Sequence, residues 1–417
     1  FADFCYNYPW RGVFLPMVEV NMKYIRRWME DLIAEALETV PVVVLTGPRQ
    51  VGKTTLLRSA EKLKGATYFS FDDLRVLAAV RDSPQDFLPD EPLVILDEVQ
   101  RYHPVLLEIK RIVDMDPGRK FVLSGSANLL LLRDVSESLA GRALHLALSP
   151  FSMGERQGEP ASLAFLENPR GLKAGPRPGD LDRVLFRGFF PRPMDFQKES
   201  QIGLWWKGFL STYMEKDMRD LANISNLPEF ARTVTALGEI TGNLLNVLSL
   251  SRDTGVPQST LSRYINMLET LFLFRRIYPL QATKTAGMRK TPKLFCADCG
   301  MACALNGFEN SDDMDDKFRG RLFETLVYQL LKAHTDVLGG ELFTWRKSRD
   351  EVDFVLARGK EKYLFEAKAR DGVSTGDVKG IVAARKQLGA VRGFVVSDCP
   401  EVQVLGRDIY GIPWWVL

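Results

Sequence analysis

The sequence predicts a multidomain α/β protein, with a parallel-sheet core in front, a helical middle and a small α/β domain at the end. Three stretches predict this. GPRQVGKTT (47–55) joins an apolar run, VVVLT (42–46), to an amphipathic one, TLLRSAEKL (55–63). LVILDE (93–98) is a second apolar run that closes on two acids. EVDFVLA (351–357) and KYLFEAKA (362–369) alternate across a short polar turn, as the arms of a hairpin do. At 417 residues the chain exceeds one ordinary core. The expected division is an N-terminal extension (1–21), a parallel-sheet α/β domain (22–156), a linker (157–200), a helical segment (201–290) and a C-terminal domain (291–417).

Composition narrows the function classes. Hydrophobic residues at 46% and charged residues at 26% are globular values, and a net charge of +2 gives no global field that would recruit nucleic acid. Any DNA site must be a local patch. No apolar run approaches the roughly 18 residues of a membrane span. Five cysteines form no disulfide framework and suit a reducing cytoplasm. Cys296, Cys299 and Cys303 lack a nearby fourth ligand, so buried thiols outweigh a zinc site. The first residues lack the order of a signal peptide, and Met22 makes a natural start; no function is assigned to the extension.

Residues 24–37 carry apolar side chains at helical spacing and lead into the first strand. The next stretch fits G-x-x-x-x-G-K-[ST], with Gly47, Gly52, Lys53 and Thr54 in the fixed places. A glycine-rich turn between strand and helix aims backbone N–H groups and a helix N-terminus at phosphates. The expected nucleotide-binding residues are therefore Gly47, Pro48, Arg49, Gln50, Val51, Gly52, Lys53, Thr54 and Thr55. Lys53 would reach the β- and γ-phosphates, and the Thr54 hydroxyl would meet Mg²⁺. ATYFSF (66–71) reads as a strand ending in Asp72 and Asp73, which either stand near the metal or cap the next helix.

At the end of LVILDE, Asp97 is expected to hold the Mg²⁺ shell and Glu98 to orient or deprotonate the attacking water. After the strand in FVLSGSAN, Ser126 and Asn128 either sense the γ-phosphate or cap a helix. Arg142 either acts on the γ-phosphate, in cis or as a finger on a neighbouring subunit, or forms a structural ion pair.

From Tyr24 to the C-terminus these residues resemble a widespread prokaryotic family of AAA-type ATPases, through GPRQVGKTTLL, LVILDEVQ, LSGSANLLLL, ESLAGR and SPFSMGE. The resemblance implies a parallel five-stranded P-loop ATPase core, a helical segment and a nuclease-like C-terminal domain. The family's Gly-Gly-aromatic-Pro run is nearly matched by FRGFFPRP (187–193 and the residue before), with a departure at Phe189. Tyr213, Glu215, Asp217 and Arg219 match another family stretch, to which no role is assigned.

The Gly- and Pro-rich residues 157–193 read as a surface connector. Further on, DTGVPQ separates two helical stretches in the manner of a winged helix-turn-helix, with Ser259 as the expected cap. Gln258, Ser262, Arg263 and Asn266 would face a nucleic acid or a protein. In the last domain, Glu324 lies on the edge of the apolar stripe of a helix. Glu366 and Lys368 share one strand face, and Asp353 stands opposite Val352 and Phe354. This D…E-x-K hairpin is the pattern of the PD-(D/E)XK nucleases, so a small restriction-endonuclease-like fold is expected. Glu324, Asp353 and Glu366 would gather Mg²⁺, and Lys368 would activate water or stabilise developing charge. The bland counterpart is a retained fold with ion-paired acids and no cleavage.

The expectation is a cytoplasmic Mg²⁺-dependent ATPase acting on DNA, with ATP and Mg²⁺ as cofactors and no membrane partner. A homo-oligomer would be needed if Arg142 serves a neighbour. The alternative is a nucleotide-dependent switch for a protein partner, with an inert nuclease-like domain.

Overall fold

The computed structural model describes residues 24–125, 139–212, 226–281, 290–374 and 376–417. The chain divides into two compact units, 1–148 and 149–417. Ser126, Asn128, Tyr213, Glu215, Asp217, Arg219 and the extension lie outside the described residues.

In the first unit, helix α1 (Met29–Thr39) precedes strand β1 (Val42–Thr46), and α2 (Lys53–Ser59) follows the loop. Next come β2 (Thr67–Ser70), α3 (Leu74–Asp82), β3 (Leu93–Asp97), α4 (Val105–Met115), β4 (Lys120–Ser124) and β5 (Ala143–Ala147). The five strands form one sheet in the order β2-β3-β4-β1-β5, and every pairing is parallel. Helices cover both faces of such a sheet, so its inner strands read as continuous apolar runs rather than alternations. β1 is buried at all five positions. Val44, Leu96 and Leu123 of adjacent strands pack with Val105, Ile109 and Val80 of the helices. Asp73 caps α3 by accepting from the Arg75 N–H at 2.9 Å, and Asp72 pairs with Arg101. Of the two readings for these acids, the geometry shows the cap.

The second unit carries α5 (Leu181–Arg187), α6 (Glu199–Thr212), α7 (Leu227–Glu239), α8 (Val247–Thr254) and α9 (Gln258–Thr270). A two-stranded antiparallel sheet follows, β6 (Phe274–Ile277) with β7 (Lys293–Cys296), then α10 (Cys299–Leu305) and α11 (Asp316–Leu338). Strands β8 (Glu341–Lys347), β9 (Asp350–Arg358) and β10 (Glu361–Lys368), helix α12 (Lys379–Leu388), then β11 (Arg392–Ser397), β12 (Gln403–Gly406) and β13 (Ile409–Pro413) complete the chain. Their sheet has the order β12-β13-β11-β10-β9-β8. β8, β9 and β10 are antiparallel neighbours, and β10, β11 and β13 run parallel.

Residues 157–193 differ from the expected surface connector. They bury Phe165, Leu166, Leu185, Phe186, Phe189 and Phe190. Phe190 packs edge-on against Trp206 and Phe209 of α6. Aromatic burial at this scale contributes too much to leave such a stretch loose. The fixed point is Asp298, fully buried at the start of α10. It accepts from the N–H groups of Phe189 at 2.7 Å, Gly300 at 2.8 Å and Met301 at 3.3 Å, and from Gln329 Nε2 at 3.2 Å. Burial pushes its carboxyl up to about 6, against the pull of those donors. Gly188 lies against it with φ 75°, and a Cβ there would sit 2.0 Å from Asp298 Oδ1. Glycine is required at this position.

Cys296, Cys299 and Cys303 are buried thiols, and burial raises the pKa of each. Ser259 does not cap α9, which begins at Gln258 after Pro257 with no side-chain cap.

Candidate functional site

The loop from Gly47 to Gly52 turns the chain from β1 into α2. Gly47 has φ 145°, and a Cβ there would come 2.5 Å from the Leu148 carbonyl oxygen, so only glycine passes. Gln50 takes the left-handed conformation, φ 59°, between Arg49 and the buried Val51. The Lys53 ammonium is buried and donates to the Gly47 and Pro48 carbonyls, both at 2.9 Å. It is held across the loop, where phosphate oxygens would compete for it.

At the C-terminal edge of the sheet, β3 delivers Asp97 beside α2. Thr54 Oγ1 donates to Asp97 Oδ2 at 2.7 Å, with Thr55 next along the first turn. The same oxygen accepts from Tyr68 OH at 2.6 Å, and Asp97 Oδ1 accepts from Ser124 Oγ. Asp97 is 1% exposed, so these donors are what make its burial tolerable. Glu98 sits in the left-handed region with φ 59°, its carboxylate accepting from Gln100 Nε2. Burial raises its pKa; Gln100 opposes that, Asp97 adds to it and Lys53 opposes it. The sheet thus brings together Lys53, Thr54, Asp97 and Glu98 from segments more than forty residues apart.

Three contributors had no signal in the local pattern. Tyr68 stands on β2 with the Arg58 guanidinium 4.5 Å from its ring centroid. Ser124 closes β4, two residues before the expected Ser126. Arg27, 3% exposed, donates to the Val51 carbonyl at 3.1 Å and braces the loop from the chain ahead of α1. Strand pairing and packing position all three, and a spacing rule reads neither.

Arg142 is paired with Asp114 on α4, Nε to Oδ1 at 2.5 Å and a terminal nitrogen to Oδ2 at 3.0 Å. This contact is the ion pair of the structural reading.

In the second unit, α11, β9 and β10 gather Glu324, Asp353, Glu366 and Lys368, as the D…E-x-K reading expected. A fifth residue stands among them. Lys293 Nζ, from β7, donates to Glu324 Oε1 at 2.6 Å and to Asp353 Oδ1 at 2.9 Å. Asp353 Oδ2 accepts from the Ala367 N–H at 3.0 Å, and Lys368 Nζ donates to Glu366 Oε1 at 2.7 Å. Glu366 Oε2 is buried without a hydrogen-bond partner. Burial, then Asp353, pushes the Glu324 carboxyl up to about 8, and the same two causes raise Glu366. Burial works against the Lys293 ammonium, yet the two carboxylates outweigh it and raise its pKa. Two of the three acids expected to gather metal, Glu324 and Asp353, thus share the Lys293 ammonium. Lys293 occupies one oxygen of Glu324 and one of Asp353, and among the described residues no group of three or more His, Cys, Asp or Glu side chains is placed to hold an ion.

Residues 39–157 match the model of an AAA domain. This part of the chain has the fold of a P-loop ATPase of the AAA type, a fold that in general supports nucleotide hydrolysis. Residues 178–312 and 319–417 match two models each described as a domain of unknown function (DUF8612 and DUF4143). An uncharacterized protein of Mycobacterium tuberculosis is 28% identical over 349 residues, covering 82% of this chain and 74% of its own length. An uncharacterized protein of Methanocaldococcus jannaschii is 21% identical over 345 residues, covering 78% and 74%. Among solved structures, a Walker-type ATPase of Pyrococcus abyssi is 19% identical with TM-score 0.44, covering 68% of this chain and 96% of its own. A RuvB variant of Thermotoga maritima is 18% identical with TM-score 0.28, covering 63% and 92%. The five-stranded parallel order and the match over residues 39–157 carry the fold assignment. Among the described residues no helix is long and apolar enough to cross a membrane.

Proposed function

We propose that this chain is a Mg²⁺-dependent ATPase that acts on DNA, its C-terminal domain being nuclease-like in build. The observation that carries the ATPase part is the Thr54 hydroxyl on Asp97 Oδ2 at 2.7 Å, with Glu98 next in sequence. A hydroxyl and a carboxylate are the hard oxygen donors that Mg²⁺ takes from a protein while keeping waters and nucleotide phosphates. Thr54 and Asp97 would hold the ion, which would supply positive charge to offset the charge that develops on the transferring phosphoryl group. The loop N–H groups and Lys53 hold the phosphates in line. Glu98, its affinity for a proton raised by burial, accepts one from the attacking water. Ser126 and Asn128 remain candidates for the γ-phosphate, and Arg142 for a neighbour's nucleotide in a homo-oligomer, once its pair with Asp114 opens.

Tyr68 orients Asp97 in this scheme. Tyr68→Phe deletes one hydrogen bond to a buried carboxylate and is expected to weaken Mg²⁺–ATP binding about tenfold. Affinity for ATP in EDTA should be unchanged. Equal weakening with and without Mg²⁺, by calorimetry, would assign Tyr68 to packing alone.

The DNA part is supported by the D…E-x-K strands and by α8 and α9, whose exposed Gln258, Ser262, Arg263 and Asn266 fit the outer helix of a winged helix-turn-helix. A second reading, the nucleotide-governed switch for a protein partner, is favoured by the ion pairs of Lys293 within the acidic cluster. ATP turnover with and without linear, single-stranded and branched DNA separates the two. Stimulation severalfold, lost in Arg263→Glu, supports action on DNA; turnover indifferent to every DNA removes it. Cleavage is assayed alongside in wild type and Lys368→Ala.

A further inference from the structure

We propose that Lys293 is the resident cation of the C-terminal acidic cluster and holds that cluster closed to divalent metal. The inference rests on the nuclease-like reading only for why these acids are gathered; the contacts of Lys293 stand without it.

The lysine is fixed by its backbone. β7 pairs with β6 on one edge, Ile277 opposite Lys293. On the other, Leu244 bridges to Lys293, the Leu294 N–H donates to the Asn243 carbonyl at 2.9 Å, and the Gly242 N–H donates to the Leu294 carbonyl at 2.8 Å. Two residues along, the fully buried Phe295 stacks on Tyr328 with centroids 4.8 Å apart and tilts against Phe354 at 5.3 Å. Tyr328 is one helical turn beyond Glu324, and Phe354 is next to Asp353. The packing that seats β7 therefore sets the ammonium against both acids, and its side chain is only 12% exposed.

The charges support the same reading. Three carboxylates, Glu324, Asp353 and Glu366, face two ammoniums, Lys293 and Lys368. Each of the three carboxylates already has an ammonium on one of its oxygens, Lys293 on Glu324 and Asp353 and Lys368 on Glu366. A divalent ion on these oxygens would have to break two buried ion pairs and leave the ammonium without a partner, and an uncompensated buried charge is strongly destabilising. β7 thus supplies, in cis, the counter-charge for Glu324 and Asp353, as Lys368 does for Glu366.

The test uses the full chain without nucleotide, so that no Mg²⁺ enters with ATP. Mn²⁺ binding is followed by electron paramagnetic resonance, and Tm by calorimetry, at millimolar Mn²⁺. Wild type is expected to show no saturable Mn²⁺ binding that Asp353→Asn removes. Lys293→Met should lose about 10 °C in Tm, gain Mn²⁺ binding and recover Tm when Mn²⁺ is added. Lys293→Met/Asp353→Asn should lose that rescue. Should Lys293→Met not fold, Lys293→Met/Glu324→Gln, which removes one charge of each sign, is expected to restore folding without metal. Wild-type Mn²⁺ binding abolished by Asp353→Asn overturns the proposal, as does a Lys293→Met protein with unchanged Tm and no Mn²⁺ binding. So does a double variant no better folded than the single. ATP turnover and its response to DNA, measured on the same preparations, report separately on the proposed function.

Discussion

Lys53→Ala is expected to lower ATP turnover by about two to three orders of magnitude, the loss that follows removal of one group aimed at developing charge. The Lys53 ammonium is buried and held across the phosphate loop by the Gly47 and Pro48 carbonyls. Alanine keeps the α2 backbone, since it is the best helix former, so folding should survive while phosphate binding does not. Glu98→Gln is the companion. It keeps the size and the contact with Gln100 but takes no proton from water, so ATP should bind and remain unhydrolysed. Single-turnover hydrolysis and retention of labelled ATP on the isolated protein read both effects. Unchanged turnover in the two variants would remove the assignment of Lys53 and Glu98 to hydrolysis.

Asp298→Ala is expected to be the most damaging substitution for stability outside the nucleotide site. It leaves the N–H groups of Phe189, Gly300 and Met301 and one amide N–H of Gln329 without their acceptor in a fully buried place. At roughly 1 kcal/mol or more for each stranded donor, the loss should reach about 4 kcal/mol. Asp298→Asn keeps the volume and one carbonyl oxygen, and should cost about half as much. The pH dependence has a defined sign. The folded carboxyl titrates at about 6 and the free one at 3.8, so the folded state keeps a proton that the unfolded chain releases. This group's contribution is present in full below pH 3.8 and declines until about 6. Denaturant midpoints measured at pH 4.5 and 7 should converge in Asp298→Asn relative to wild type. A midpoint for Asp298→Ala within error of wild type would show that other acceptors replace the carboxylate.

The phosphate loop was legible because everything it needs is contiguous: a strand, a turn that demands glycine and a helix that begins on Lys53. Asp97 and Glu98 were legible because a parallel strand is a continuous apolar run and its polar end falls at the sheet's C-terminal edge. The same logic placed Glu366 and Lys368 on one face and brought Glu324 and Asp353 to them. The stretch 157–193 was misread because Gly and Pro signal turns, whereas its interleaved aromatics decided its burial.

The sequence alone determined the strand–loop–helix unit, the acids at the end of β3 and the D…E-x-K strands, all of them local patterns whose geometry follows from 3.6- and 2-residue periods. Only the tertiary structure decided which groups stand beside those acids. Tyr68 and Ser124 reach Asp97 through strand pairing, Asp114 takes Arg142 through packing of α4, and Lys293 enters the cluster because Phe295 seats β7 against Tyr328 and Phe354. Counter-charges are chosen by proximity in space, and a lysine thirty-one residues from one partner and sixty from the other leaves no trace in any local period.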